Sequence, residues 1–186
     1  MRSLRFYVRD ICYLTTSPVR EKQYWLKPLR RHYFWDLCEN ARKFGERLIS
    51  TPEAKYTDEE KHRMERMIYD LFYTVFEDGD FGFWEARMAR ICERMALFSV
   101  RLGACEQALN ELEEMCSHFE KFYAFSSIDH TSPFVRDIHY ARQAWHDREK
   151  EVTGKAYIER LQCPTYNALH DNPRFATILQ RLEALE

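Results

Sequence analysis

One stretch of the chain, from about Phe83 to Leu102, constrains the fold more than any other. Trp84, Met88, Ile91, Met95, Phe98 and Leu102 recur in alternating steps of four and three residues, which puts all six side chains on one face of an α-helix. Gly103 follows, and glycine adopts the left-handed conformation of a helix C-cap without penalty. A second stripe starts almost at once: Ala108, Leu112, Met115, Phe119 and Phe122, on a helix from about Cys105 to Tyr123. A connection this short forces the two helices to run antiparallel as a hairpin.

Gly and Pro punctuate the rest sparsely, at 5 and 6 in 186 residues. Sandwiches and barrels need many tight turns, so the remainder reads as helical too. Leu29, Tyr33, Leu37, Ala41, Phe44 and Leu48 predict a helix from about Pro28 to Ile49, with proline at the first position, where a missing N–H costs nothing. Thr57 and Glu60 form a capping box. They open a helix whose apolar face is Met64, Met67, Ile68, Leu71, Phe72 and Val75, and Asp78-Gly79-Asp80 closes it. Residues 124–133 read as a loop and residues 139–154 as polar, partly extended chain. A short helix in KAYIERL ends at Cys163-Pro164. Asn172 then caps, and Pro173 opens, a final helix lined by Phe175, Ile178, Leu179, Leu182 and Leu185. The expected fold is all-α and built of antiparallel helical hairpins. Its expected limits are a basic segment at 1–27, helical or irregular, and a helical domain at 28–186.

Net charge is −2, but residues 1–35 carry eight Lys/Arg against two acids. Such an end faces either a nucleic acid or partner, or acidic neighbours within the fold. The aromatics of YWLKPLRRHYFW, interleaved with Lys27, Arg30 and Arg31, suit base stacking or core packing, and Tyr33 belongs to the apolar stripe. No apolar run approaches the roughly 20 residues of a membrane span. Arg9 and Asp10 interrupt the first apolar stretch, which argues against a signal peptide. With six scattered Cys and no CxxC pair, a cytoplasmic location is expected.

Two local patterns carry a family resemblance. Residues 89–116, ARICERMALFSVRLGACEQALNELEEMC, resemble a tetratricopeptide repeat. Met95 and Ala96 stand at its large-then-small pair, Gly103 at its turn, and Ala108 where the second helix crosses the first. Ser99 and Cys92 depart from its usual aromatic positions. Further on, Thr131-Ser132-Pro133, Thr153-Gly154 and Asn172-Pro173-Arg174-Phe175 occur in an order that resembles the end of Cro/repressor-like (XRE-type) helix-turn-helix transcriptional regulators. Asn172 stands in place of that group's usual acid. With the hairpin, the resemblance covers roughly residues 38–186. It implies a right-handed tetratricopeptide-like array with a C-terminal capping helix, serving as the regulatory module of a bacterial transcriptional regulator. Such a module binds a peptide or protein, or self-associates as a homodimer, to control an attached DNA-binding domain. No helix-turn-helix precedes the array, so DNA contact is expected only through a separate domain. A free-standing scaffold with no DNA role is the alternative. Pro133 and Pro173 are also suited to starting helices, and Phe175 and Ile178 to sealing the last helical layer.

No catalytic constellation stands out. The five glycines are isolated, and GxSxG, HExxH and EF-hand spacings are missing. No enzyme activity, cofactor or metal is therefore expected. Cys116 and His118 lack further ligands nearby. His139 and His146 share a helical spacing but have no third ligand. Glu111, Glu113 and Glu114 read as a solvated helix face. The one polar stripe of interest is Arg87, Arg90, Arg94 and Arg101, in steps of 3, 4 and 7. In a tetratricopeptide-like layer this helix lines the concave groove. The four form a candidate peptide-binding groove whose guanidinium forks clamp carboxylates, or they pair with acids of a neighbouring helix.

Overall fold

The computed structural model of the protein describes residues 36–50, 56–124, 127–136, 139–141 and 154–185. The basic segment at 1–27, the start of the expected first helix, and His146 lie outside the described residues. The described chain is mostly helical: α1 (Asp36–Ser50), α2 (Asp58–Val75), α3 (Glu85–Arg101), α4 (Cys105–Ala124), α5 (Gly154–Leu161) and α6 (Pro173–Glu183). Short 3-10 turns precede α3 at Gly82–Trp84 and follow α5 at Pro164–Leu169. Part of the expected loop and polar stretch instead forms a small antiparallel ribbon of β1 (Ser127–Asp129) and β2 (His139–Ala141), with Ser127 opposite Ala141. None of the described helices is long and apolar enough to cross a membrane.

Successive helices pair as α1 with α2, α3 with α4, and α5 with α6. The α3/α4 hairpin is central: α2 packs on α3, α6 packs on α4, and the 3-10 turn after α5 packs on α3. Met88, Ile91, Met95, Ala108, Leu112 and Met115 are fully buried between these layers. The hairpin turn is a Schellman motif. Gly103 has φ +74°, its N–H donates to the Val100 carbonyl at 2.9 Å, and the Ala104 N–H donates to the Ser99 carbonyl at 2.8 Å. At the crossing, a larger side chain has nowhere to go. Ala108→Leu is expected to cost about 1–3 kcal/mol through overpacking, read as a lowered midpoint in urea. An unchanged midpoint would contradict the close crossing.

Capping followed the local sequence. Thr57 and Glu60 form the reciprocal capping box of α2, and the Asn172 side chain accepts the Arg174 N–H at the start of α6. Burial did not always follow the stripes. On α1, Leu37 and Phe44 are 46% and 48% exposed, while Cys38, Arg42 and Gly45 face inward. The cause is Glu65 on α2. A β-carbon on Gly45 would lie 2.7 Å from a Glu65 carboxylate oxygen, so the only α1 position without a side chain is the one turned toward that carboxylate. Met67 on α2 is exposed for the same reason: Glu65 and Tyr69 take the inward positions beside Ile68 and Phe72. Leu102 is 40% exposed, because the turn at Gly103 carries it off the buried face.

The described residues of the three C-terminal motifs sit at joints between layers; Thr153 lies outside the described residues. The Asp78 carboxylate accepts the Thr131 N–H at 2.9 Å, the Thr131 hydroxyl at 3.1 Å and the Ser132 N–H at 3.2 Å. In return the Ser132 hydroxyl accepts the Asp78 N–H. Burial pushes the Asp78 carboxyl up, and the backbone donors of Thr131, Ser132 and Asp80 more than reverse this, holding it below the usual carboxylate range. Pro133 therefore lies in a turn docked onto the α2–α3 connection and starts no helix. Gly154 lets α5 approach the backbone of α6, and Arg174 ties α6 to Glu113 and Glu106 of α4. Phe175 and Ile178 are buried at the last layer.

Candidate functional site

A cavity of about 410 Å³ opens on the face of α3 that carries the arginine stripe. Arg90, Glu93, Arg94 and Leu97 of α3 form its floor. Glu46 of α1 forms one wall, and Arg160 of α5 with Tyr166 of the following 3-10 turn forms the other. The first helix of each helix pair thus contributes to it. The volume lies within the ordinary range of ligand sites.

The four arginines of the stripe part company here. Arg90 and Arg94 line the cavity. The Arg90 Nε donates to the buried Tyr157 hydroxyl at 3.2 Å. Arg94 is almost wholly buried: its Nε and Nη2 donate to the two carboxylate oxygens of Glu65 at 2.7 and 2.8 Å. For Arg94, pairing with a neighbouring helix is what the structure shows, rather than an open carboxylate clamp. Arg101 is exposed beyond the cavity and lies 3.7 Å from Asp58. Arg87 is partly buried, and its charge acts on Glu39 of α1.

Glu93, Arg160 and Tyr166 were not visible as site residues in the sequence. Glu93 follows Arg90 by three residues, so its place on the same face was available from spacing. Arg160 and Tyr166 reach the site through the packing of the last helical pair on α3, for which the sequence carries no local signal. The Glu93 side chain accepts from Arg160 Nη1 at 2.9 Å. Its burial raises its pKa, and the fields of Arg160, Arg94 and Arg90 offset this only in part, so the carboxyl sits above its usual range. The Arg160 guanidinium also lies over the Tyr157 ring, 4.3 Å from its centroid.

The acidic run on α4 faces water only in part: the Glu113 side chain is 40% exposed, whereas Glu111 and Glu114 turn to other elements. Glu111 is buried, accepts the Ser99 hydroxyl at 2.7 Å and meets the His62 ring at 2.6 Å. Glu114 accepts the Tyr69 hydroxyl, and Glu113 accepts from Arg174. Ser99, where a tetratricopeptide repeat usually has an aromatic, therefore serves as a polar anchor between α3 and α4. His118 bonds the buried Glu85 at 2.6 Å, and the Cys116 thiol points to the Ile178 carbonyl. His139, in β2, meets Asp129 across the ribbon. Among the described residues no group of His, Cys, Asp and Glu is placed to hold a metal ion. Burial pushes the Cys38 and Cys116 thiols up to about 12, which keeps them protonated and unreactive.

The chain matches no known family model, no curated protein and no solved structure.

Proposed function

We propose that the chain is a non-enzymatic interaction module: a right-handed, tetratricopeptide-like helical array that holds an extended peptide in the cavity on α3. The observation that carries this reading is the composition of the cavity, in which the first helices of three successive pairs and the turn after α5 meet around one floor. A stack of helical pairs produces such a concave surface, because each pair adds its first helix to the same wall. Leu97 and Tyr166 supply apolar contact, and the ring of arginines and glutamates supplies hydrogen bonding. The order of the Thr131-Ser132-Pro133, Gly154 and Asn172–Phe175 motifs supports a place in a bacterial, cytoplasmic transcriptional regulator, with DNA bound by a separate helix-turn-helix domain. A reading frame that encodes such a domain upstream of Met1 supports that placement. A reading frame without one leaves the free-standing scaffold.

The peptide reading is tested by selecting binders from a displayed peptide library and measuring them by calorimetry. Leu97→Trp fills the cavity from its floor. Selected peptides are expected to lose affinity at least about tenfold, or about 1.4 kcal/mol, with the melting temperature changed by only a few degrees. Full affinity for the Trp variant would place the binding surface elsewhere.

A further inference from the structure

One ion pair of the cavity lining is lopsided. Arg160 of α5 donates through Nη1 to both carboxylate oxygens of Glu93 on α3, at 2.9 and 3.3 Å. The Glu93 side chain is only 12% exposed, whereas that of Arg160 is 47% exposed. Both residues line the cavity, and the Arg160 guanidinium lies over the Tyr157 ring. Among the described residues its Nε and Nη2 make no hydrogen bond, so Glu93 uses one guanidinium nitrogen of three. The pair joins a buried acid to an accessible cation with donors to spare.

Burial holds the Glu93 carboxyl above its usual range even with Arg160 bonded to it and Arg94 and Arg90 close by. The other groups around it add no further cation. Arg94 is bonded to Glu65 of α2, and Arg90 to the Tyr157 hydroxyl of α5. Burial pushes the Tyr157 and Tyr166 hydroxyls up, so both stay neutral. Glu46 of α1 is a second acidic side chain in the lining. A carboxylate that binds Arg160 makes one guanidinium serve two anions. Neighbouring carboxylates do not both stay ionised where one is poorly hydrated, and the buried Glu93 is the one that water reaches less. Protonation of Glu93 removes the charge that burial opposes and leaves Arg160 to the incoming acid.

We propose that Arg160 is the anion contact of the cavity: it receives an acidic side chain of the bound peptide, and Glu93, left to share one guanidinium with a second carboxylate, takes up a proton from the solvent. This rests on the peptide reading above and names the side-chain class that the site takes. It moves the carboxylate contact from the arginine stripe of α3 to α5.

The test uses two probes, N-acetyl-leucyl-glutamyl-leucinamide and its glutaminyl isostere. Both carry leucyl groups that suit Leu97 and Tyr166, and they differ in one carboxylate. Each is titrated into the full chain to about 10 mM and followed by NMR through the Arg160 Nε–H and the Glu93 carboxyl carbon. At about pH 6 the acidic probe is expected to bind at least about tenfold more tightly than the neutral one, and the Glu93 carbon to move toward its protonated position. Proton uptake makes affinity fall as pH rises, by up to about tenfold per pH unit for one proton. At about pH 8 the acidic probe is therefore expected to bind about tenfold or more weakly than at about pH 6, with the neutral probe unchanged. Among the described residues no histidine lines the cavity, and the probe carboxyl is ionised throughout this range. Glu93→Gln is neutral at every pH and is expected to bind the acidic probe at about pH 8 as tightly as the wild type does at about pH 6. Arg160→Gln is expected to bind both probes alike. Equal binding of the two probes by the wild type would overturn the proposal and leave the peptide reading standing, whether or not either variant folds. So would tighter binding of the acidic probe with the Glu93 carbon unmoved and no dependence on pH. A preference retained by Arg160→Gln would place the anion contact on another residue and overturn it as well. Binding of neither probe would remove the cavity as a site, and both readings with it.

Discussion

Replacing Arg94 by Ala is expected to destabilise the protein by about 3–5 kcal/mol, because breaking a buried ion pair from one side leaves an uncompensated charge. The charge left is that of Glu65, which is fully buried on α2 and bonded to both Nε and Nη2 of Arg94. For a chain of this length each kcal/mol lowers the melting temperature by about 2–4 °C, so the loss should be plain on one melting curve. Substituting an exposed arginine usually costs under about 0.5 kcal/mol, and Arg101→Ala is the matching control on the same helix. The pair itself need not be stabilising. Glu65→Leu combined with Arg94→Leu removes both charges together and should recover much of the loss, as apolar replacement of buried pairs often does. If Arg94→Ala melts like Arg101→Ala, the Glu65–Arg94 pair is not formed in solution.

What the sequence made legible divides along the range of the interactions. The capping box at Thr57, the Schellman turn at Gly103 and the Asn172-Pro173 start of α6 are decided within a few residues, and each stands where the sequence placed it. The α3 and α4 stripes were readable because those helices are covered by others on both sides, so the apolar positions had one place to go. The register of α1 was not readable. Its orientation answers to Glu65, which answers to Arg94, 29 residues further along the chain, and no local pattern announces such a chain of partners. The glutamates of α4 failed in the same way. Glu111 and Glu114 look like part of a water-facing run with Glu113 until Ser99 and Tyr69 are brought to them from two other elements. At the cavity, spacing alone put Arg90 and Arg94 on one face. The rest of the lining, Glu46, Arg160 and Tyr166, is brought to them from distant segments.

Gly154→Ala sets two effects of opposite sign against each other. Alanine is favoured over glycine within a helix by up to about 1 kcal/mol, and Gly154 is the first residue of α5, where that gain is smallest. Against it, a β-carbon at this position would lie 2.1 Å from the Leu182 carbonyl oxygen and 3.7 Å from the Leu185 β-carbon. The nearest atom belongs to the backbone of α6 and cannot swing aside as a side chain would. Separation of the two helices is the only relief. It would open the packing around Tyr157, Leu161 and Leu182, all fully buried. Overpacking of this kind costs about 1–3 kcal/mol, and a backbone contact this close belongs at the upper end. The expected result is a clear fall in the urea midpoint, together with faster hydrogen exchange of the α5 and α6 amides. The exchange of the α3/α4 hairpin should change least, since the hairpin has its own core. Because α5 carries Arg160, which lines the cavity, the same substitution should also weaken binding of the selected peptides there. A raised midpoint would mean that helix propensity dominates and that α5 and α6 are not in backbone contact at Gly154.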